Sequence, residues 1–243
     1  MALRVVNPAL APRQAIAGVL FDLDGLVLDT EKLYSRFWRE ACQHFGFPMT
    51  YPQSLAMRAL GGEAGQGMLQ SFFGPGADYA AIRQERIARM DAFVAREGVA
   101  VKPGIRPLLQ ELRRRGIATA ITSASPMARI ESYLGKTDLL PLFDRLCSGH
   151  DVPRSKPAPD IYLRGAASLG LPPESCLALE DAWPGLQSAR EAGCVPILIP
   201  DLDGPEERTL ALVYAVAEGP EDVLCLLPGS PVAAVTNIPK LSR

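Results

Sequence analysis

The sequence predicts a doubly wound α/β fold built on a parallel sheet and interrupted by a helical insert. Three observations predict it. Short apolar runs alternate with helix-length amphipathic stretches along most of the chain. The first of these runs, Ile16 to Phe21, is continuously apolar, as a strand covered on both faces must be. Between Thr30 and about Gly98 the strand-like runs vanish, and apolar residues recur at helical spacing instead.

Taken in order, residues 1–14 carry Pro8 and Pro12 and read as a loose lead-in, followed by the first strand. In the insert, Leu33, Phe37, Trp38 and Ala41 mark one helix and Ile82, Ile87, Met90, Phe93 and Val94 another. Between them Arg58-Ala-Leu-Gly61-Gly62-Glu-Ala-Gly65-Gln-Gly67 reads as a glycine-rich turn holding one arginine. Lys102-Pro103-Gly104 marks the return to the main fold. A helical stripe at Ile105, Leu108, Leu109 and Leu112 is stopped by Gly116, and a strand follows at Ile117 to Thr122. Met127 to Leu134 is a helix, Arg145 to Cys147 a short strand, and Pro159 to Leu169 a helix. Then come a strand at Cys176 to Leu179, a helix at Gly185 to Ala192 and a strand at Val195 to Ile199. A strand at Leu212 to Val216 and a short helix at Glu221 to Leu227 close the fold, leaving 229–243 as a loose tail. The expected division is 15–30 with 101–228 as the α/β core and 31–100 as the helical insert, with 1–14 and 229–243 as flexible termini.

Composition describes an ordinary globular protein of 243 residues, 48% hydrophobic and 21% charged, with a formal net charge of -2. That balance offers no basic surface for nucleic acid and no membrane anchor, and it points to a small-molecule partner, with no protein partner evident. Cys42, Cys147, Cys176, Cys194 and Cys225 are scattered, without the spacing of a zinc site or a disulfide framework. Reduced thiols and the lack of a signal-length apolar stretch at the N-terminus make the expected location cytoplasmic.

Chemistry concentrates where apolar runs end. The first strand runs into Asp22-Leu-Asp24-Gly25. If the backbone stays extended, both carboxylates fall on one side of the chain, and Gly25 allows a sharp turn after them. Converging carboxylates call for a divalent cation or a shared proton; taken alone, the pair fits a polar strand exit equally well. An EF-hand loop is excluded, because Val27 stands where glycine is needed and Leu33 where glutamate is needed. In an open parallel sheet, ligands bind outside the carboxyl ends of the strands, so a real site requires reactive residues at the other strand ends. They are present. The second strand ends in Ser123-Ala124-Ser125 before a helix, a cradle for an anion. Another strand ends in the acid pair Glu180-Asp181, and Lys156 lies among prolines just before a helix. Each has an ordinary reading as a cap or a solvated charge; together they match a magnesium-assisted phosphoryl-transfer centre. His44 and His150 have no neighbouring Ser or Cys that would make a triad, which leaves a carboxylate as nucleophile.

Four stretches, Asp22-Leu-Asp24-Gly25-Leu-Val-Leu-Asp29-Thr30, Thr122-Ser123-Ala124-Ser125, Lys156-Pro157-Ala158-Pro159-Asp160 and Leu179-Glu180-Asp181-Ala182-x-x-Gly185, resemble in order and spacing the motifs of the haloacid dehalogenase-like hydrolases. The insert between the first two resembles the cap of the subgroup holding phosphoglycolate phosphatases, beta-phosphoglucomutase and pseudouridine 5'-phosphatase. The resemblance implies a Rossmann-like core with an inserted helical cap domain and a Mg2+-dependent phosphatase acting on a small phosphorylated metabolite: a sugar phosphate, a nucleotide or a phosphoglycolate-like compound. It implies Asp22 as nucleophile, Asp24 as acid and base, and Ser123 and the Ala124 amide as phosphate binders. Lys156 would bridge nucleophile and phosphate. Metal would be held by Asp22, the Asp24 carbonyl and Asp181, with Glu180 in direct or water-mediated support. Thr122 takes the hydroxyl role if the register is shifted by one. In the cap, Arg58, Gly61 and Gly62 are the candidates for substrate contact. Asp24 argues against a dehalogenase or a phosphonatase. Tyr34, standing where beta-phosphoglucomutase carries a histidine, argues against the mutase alternative. A non-catalytic phospho-ligand binder is the remaining alternative, although every reactive position is filled. Trp183-Pro184 has no functional account from sequence.

Overall fold

The computed structural model describes residues 3–58, 60–202, 204–228 and 235–237. They fall into two compact units, Met1–Leu28 with Val101–Arg243, and Asp29–Ala100.

The first unit is an α/β domain. Its strands are β1 (Leu3–Val5), β2 (Gly18–Phe21), β3 (Ala118–Ser123), β4 (Arg145–Ser148), β5 (Cys176–Glu180), β6 (Val195–Leu198), β7 (Ala215–Val216) and β8 (Val235–Asn237). They form one sheet in the order β4-β3-β2-β5-β6-β7-β1-β8. All pairings are parallel except β1 with β7. From β2 the chain winds outward through β3 to β4, then returns to place β5 on the other side of β2. Strand order therefore reverses at β2, and the carboxyl ends of β2, β3 and β5 border one crevice.

Every residue of β2 and β5 is buried, which explains their unbroken apolar character. Helices α5 (Ile105–Arg114), α6 (Met127–Gly135), α7 (Asp160–Ser168) and α8 (Trp183–Glu191) connect the strands, and α9 (Glu207–Leu210) precedes β7. Leu20, Ala120 and Ala178 on one face of the sheet pack with Ile161, Tyr162 and Ala166 of α7 and Ala189 of α8. Phe21, pointing to the opposite face, meets Phe143 edge-on at 5.6 Å. Glycine is required at position 165 of α7, because a Cβ there would lie 2.6 Å from the Thr122 methyl.

The second unit is all helical: α1 (Glu31–His44), α2 (Tyr51–Ala56), α3 (Gly62–Phe73) and α4 (Tyr79–Glu97). Thr50 and Gln53 form a capping box at the start of α2, and the Asp78 carboxylate caps α4 through the amides of Ala80 and Ala81. Trp38, Leu69, Tyr79 and Ile82 make its core, with Trp38 stacked on Tyr79 at 5.7 Å.

Four expectations are corrected. The lead-in contains β1, paired with β7 through Arg4 and Val5 and with β8 along all three residues, and a 3-10 turn at Pro8–Leu10. The glycine-rich turn is largely helix, with Gly62, Gly65 and Gly67 inside α3. Gly65 belongs there because a Cβ would come within 2.4 Å of the Tyr79 ring, so its glycine serves packing rather than turning. The last expected strand shortens to Ala215–Val216, and the closing helix is the 3-10 segment Pro220–Leu226. Of the tail at 229–243, all but Val235–Asn237 lies outside the described residues.

Trp183 and Pro184 also find a structural account. They occupy the first turn of α8, where proline costs no hydrogen bond, and Trp183 packs on the cluster of Leu186, Leu198, Leu212 and Val216. All five thiols are unpaired; Cys42, Cys147, Cys176 and Cys194 are buried and Cys225 partly so. Burial pushes Cys42 up to about 12 and Cys176 up to about 11. Among the described residues no helix is long and apolar enough to cross a membrane.

Candidate active site

β2 ends at Phe21, and the next amide, that of Asp22, still donates to the Leu179 carbonyl of β5 at 3.1 Å. Asp22 thus stands at the mouth of the sheet, 8% exposed. Gly25 follows with φ +83°, a conformation that favours glycine, and its amide closes the turn on the Leu28 carbonyl. The turn is tightened by the Val27 and Leu28 amides, which both donate to the Leu23 carbonyl.

The centre of the site is an ammonium between two acids. Lys156 Nζ donates to Asp22 Oδ1 at 2.5 Å and to Glu180 Oε1 at 2.6 Å, and its side chain is only 10% exposed. Glu180 is the last residue of β5 and 2% exposed. The same Oε1 accepts the Tyr162 hydroxyl at 2.5 Å. One buried cation thereby serves two buried carboxylates, an arrangement worth its desolvation cost only where geometry is good and charge is needed. Burial, together with nearby Glu180 and Asp24, pushes Asp22 up to about 8, against the opposing pull of Lys156. Lys156 is itself held above its usual range: Asp22 and Glu180 outweigh the burial that would lower it.

A cation site can be tested on these residues. Carboxylate oxygens of Asp22, Glu180 and Asp181 all lie within 4.8 Å of one another. The donors are all oxygen, the set a hard divalent ion selects. Asp22 is also an acid whose charged form burial disfavours even with Lys156 in contact. The residues therefore fit Mg2+.

Around this centre, the Ser125 hydroxyl donates to Asp24 Oδ2 at 3.1 Å, and the Ser125 amide donates to Ser123 Oγ at 3.0 Å. Ser123, at the end of β3, is fully buried. Thr122 is committed elsewhere, its hydroxyl donating to the Phe21 carbonyl at 3.2 Å and tying β3 to β2. The structure thus brings Asp22, Lys156, Glu180 and Asp181 together and links Asp24 to Ser125. In the helical unit, Arg58 Nε donates to the Leu55 carbonyl at 3.3 Å and lies 3.9 Å from Glu31, while Gly61 caps α3 and Gly62 begins it with φ +51°. Sequence reasoning placed Ser125 in the anion cradle without its bond to Asp24, and assigned no role to Tyr162. The only signal for either was a polar residue in a stretch that otherwise reads as helix entry or apolar helix face.

Residues 16–193 match the family model described as haloacid dehalogenase-like hydrolase. The chain belongs to that family. Among curated relatives, hexitol phosphatase B of Escherichia coli is 32% identical over 196 residues, spanning 78% of this chain and 85% of the relative. Fructose-1-phosphate phosphatase YqaB of Escherichia coli is 32% identical over 181 residues, spanning 73% and 93%. Among solved structures, a CbbY mutant from Rhodobacter sphaeroides in complex with xylulose-1,5-bisphosphate superposes with a TM-score of 0.72 at 26% identity, covering 91% of this chain and all of that one.

Proposed function

We propose that this phosphoric monoester hydrolase releases phosphate from a small phosphorylated sugar or sugar alcohol, with Asp22 as nucleophile and Mg2+ as cofactor. The observation that carries the reading is the Lys156 ammonium shared between Asp22 and Glu180, with Asp181 alongside, at the crevice where strand order reverses. The named substrates of the relatives, a hexitol phosphate and fructose 1-phosphate, support the polyol part of the proposal.

An Asp22 carboxylate oxygen bonds to phosphorus as the ester oxygen leaves, forming an aspartyl-phosphate. Asp24 gives the departing alkoxide its proton; it then takes a proton from the water that attacks phosphorus, releasing inorganic phosphate and restoring Asp22. Lys156 stabilises the charge shared between Asp22 and the phosphoryl group, and Ser123 with the Ala124 amide holds phosphoryl oxygens. Asp22, the Asp24 carbonyl and Asp181, with Glu180 in support, would hold Mg2+, which would supply neutralisation of phosphoryl charge. Ser125 orients Asp24 through its hydroxyl. Arg58, Gly61 and Gly62 are the helical unit's candidates for contact with the polyol.

The test is phosphate release from a panel of phosphorylated sugars and sugar alcohols, with and without Mg2+, for the wild type and Asp22→Asn. Release that needs both Mg2+ and Asp22 is expected. Wild-type turnover by Asp22→Asn removes the nucleophile assignment, and transfer of phosphate within the sugar without release selects the mutase.

A further inference from the structure

Tyr162 is among the largest fully buried side chains of the protein. Its ring fills the space between α7 and the sheet beside Leu20, Ala120 and Ala178, a task phenylalanine would perform equally well. Its hydroxyl does something else. It donates to Glu180 Oε1 at 2.5 Å, the atom that also accepts from Lys156 at 2.6 Å, while the ring centroid lies 5.2 Å from Lys156 Nζ. In that bond the hydroxyl is the donor and the carboxylate oxygen the acceptor.

On another side, Gly185 of α8 leaves the room that the carboxylate occupies. A Cβ at that position would lie 1.8 Å from Glu180 Oε1 and 1.9 Å from its carboxyl carbon. Glycine is poor in a helix, and this position has no positive φ to require it. The requirement is the Glu180 carboxylate itself.

We propose that Tyr162 is a positioning residue for phosphoryl transfer, acting through Glu180 to hold the Lys156 ammonium on Asp22, with Gly185 as the notch that admits the Glu180 carboxylate. Two hydrogen bonds at one oxygen fix the carboxylate in a single orientation; the ammonium, a rotatable point charge on a flexible stem, inherits that orientation. Without the hydroxyl, Glu180 can rotate, and Lys156 divides its time between positions of which only one faces the reacting oxygen.

This inference rests on the phosphatase reading, and its test separates the two. Steady-state phosphate release from an aryl phosphate is measured for wild type, Tyr162→Phe, Glu180→Gln, the double variant and Asp22→Asn, with thermal unfolding of each. Tyr162→Phe is expected to lower kcat about tenfold with KM within about twofold, the worth of one hydrogen bond to a charged group. In the double variant the loss should not exceed that of Glu180→Gln alone, because the hydroxyl acts only through that carboxylate. Gly185→Ala should lower kcat at least as far while helix content is retained. Wild-type kcat in Tyr162→Phe or in Gly185→Ala, or losses that add in full in the double variant, overturn the inference while leaving the phosphatase reading intact. Activity surviving in Asp22→Asn overturns the phosphatase reading itself.

Discussion

Both units carry exposed local ion pairs, and they differ in what they bury. In the α/β unit the charged groups that matter are buried and share partners: Lys156 serves Asp22 and Glu180, and Tyr162 serves Glu180 again. In the helical unit several pairs are local and more open to water, as in Arg36–Glu40 and Arg89–Glu85 at i,i+4 spacing and Arg96–Glu97 between neighbours, while Arg58 and Glu31 lie 3.9 Å apart and largely buried. Exposed local pairs contribute about 0–1 kcal/mol and cover a surface. Buried groups that share partners must be desolvated on folding, which a protein accommodates only where the assembled charge is used. The buried cluster shared by Lys156, Asp22 and Glu180 is what the proposed chemistry uses.

Four changes would sharpen or break this contrast. The largest effect is expected from Lys156→Met. It leaves Asp22 and Glu180 facing one another, so kcat should fall about 100-fold or more, and the variant should lose about 3–5 kcal/mol in denaturant titration, as when one partner of a buried pair is removed. A loss confined to a few-fold would place Lys156 with the surface charges. Next comes Gly65→Ala in the helical unit, which drives a methyl into the Tyr79 ring. Overpacking predicts about 1–3 kcal/mol of destabilisation, read as a lower unfolding midpoint by circular dichroism.

The third is a pH effect on metal-free protein. Burial pushes Asp22 up to about 8 when folded, against its ordinary 3.8 when exposed. An acid raised on folding binds its proton more tightly in the native state, so its contribution is full below about pH 4 and is lost as pH rises through about 8. Chelated wild type should therefore lose more stability between pH 5 and pH 8 than chelated Asp22→Asn, and adding Mg2+ should shrink the difference. Scanning calorimetry at the two pH values checks it; equal slopes would remove the burial argument. The smallest effect belongs to Arg96→Ala, an exposed pair beside Glu97, which should leave the unfolding midpoint and kcat unchanged.

Much of the α/β unit was legible because its signals are local. A buried parallel strand must be apolar throughout and must stop where water begins, so β2 and β5 and the acids at their ends stand out in the sequence. What escaped depends on partners distant in the chain. β1 is only three residues long, and its neighbours come from the far end of the sequence. Glycines in α3 read as a turn because nothing near Gly65 announces that the Tyr79 ring will lie against it. Tyr162 reads as one more apolar helix residue, since the carboxylate that uses its hydroxyl is 18 residues later. Fold class follows from patterns within a window, whereas the parts that orient a reacting group follow from packing across it.

The unpaired thiols carry a consequence of a different kind. Cys42 belongs to the helical unit, and Cys147, Cys176 and Cys194 to the α/β unit. Each is buried, and burial disfavours the thiolate that alkylating reagents attack. Modification must therefore wait for local opening, and its rate counts how often that opening occurs. The native chain thus holds its own clocks, at least one in each unit, which time the breathing of one unit separately from the other without any added label.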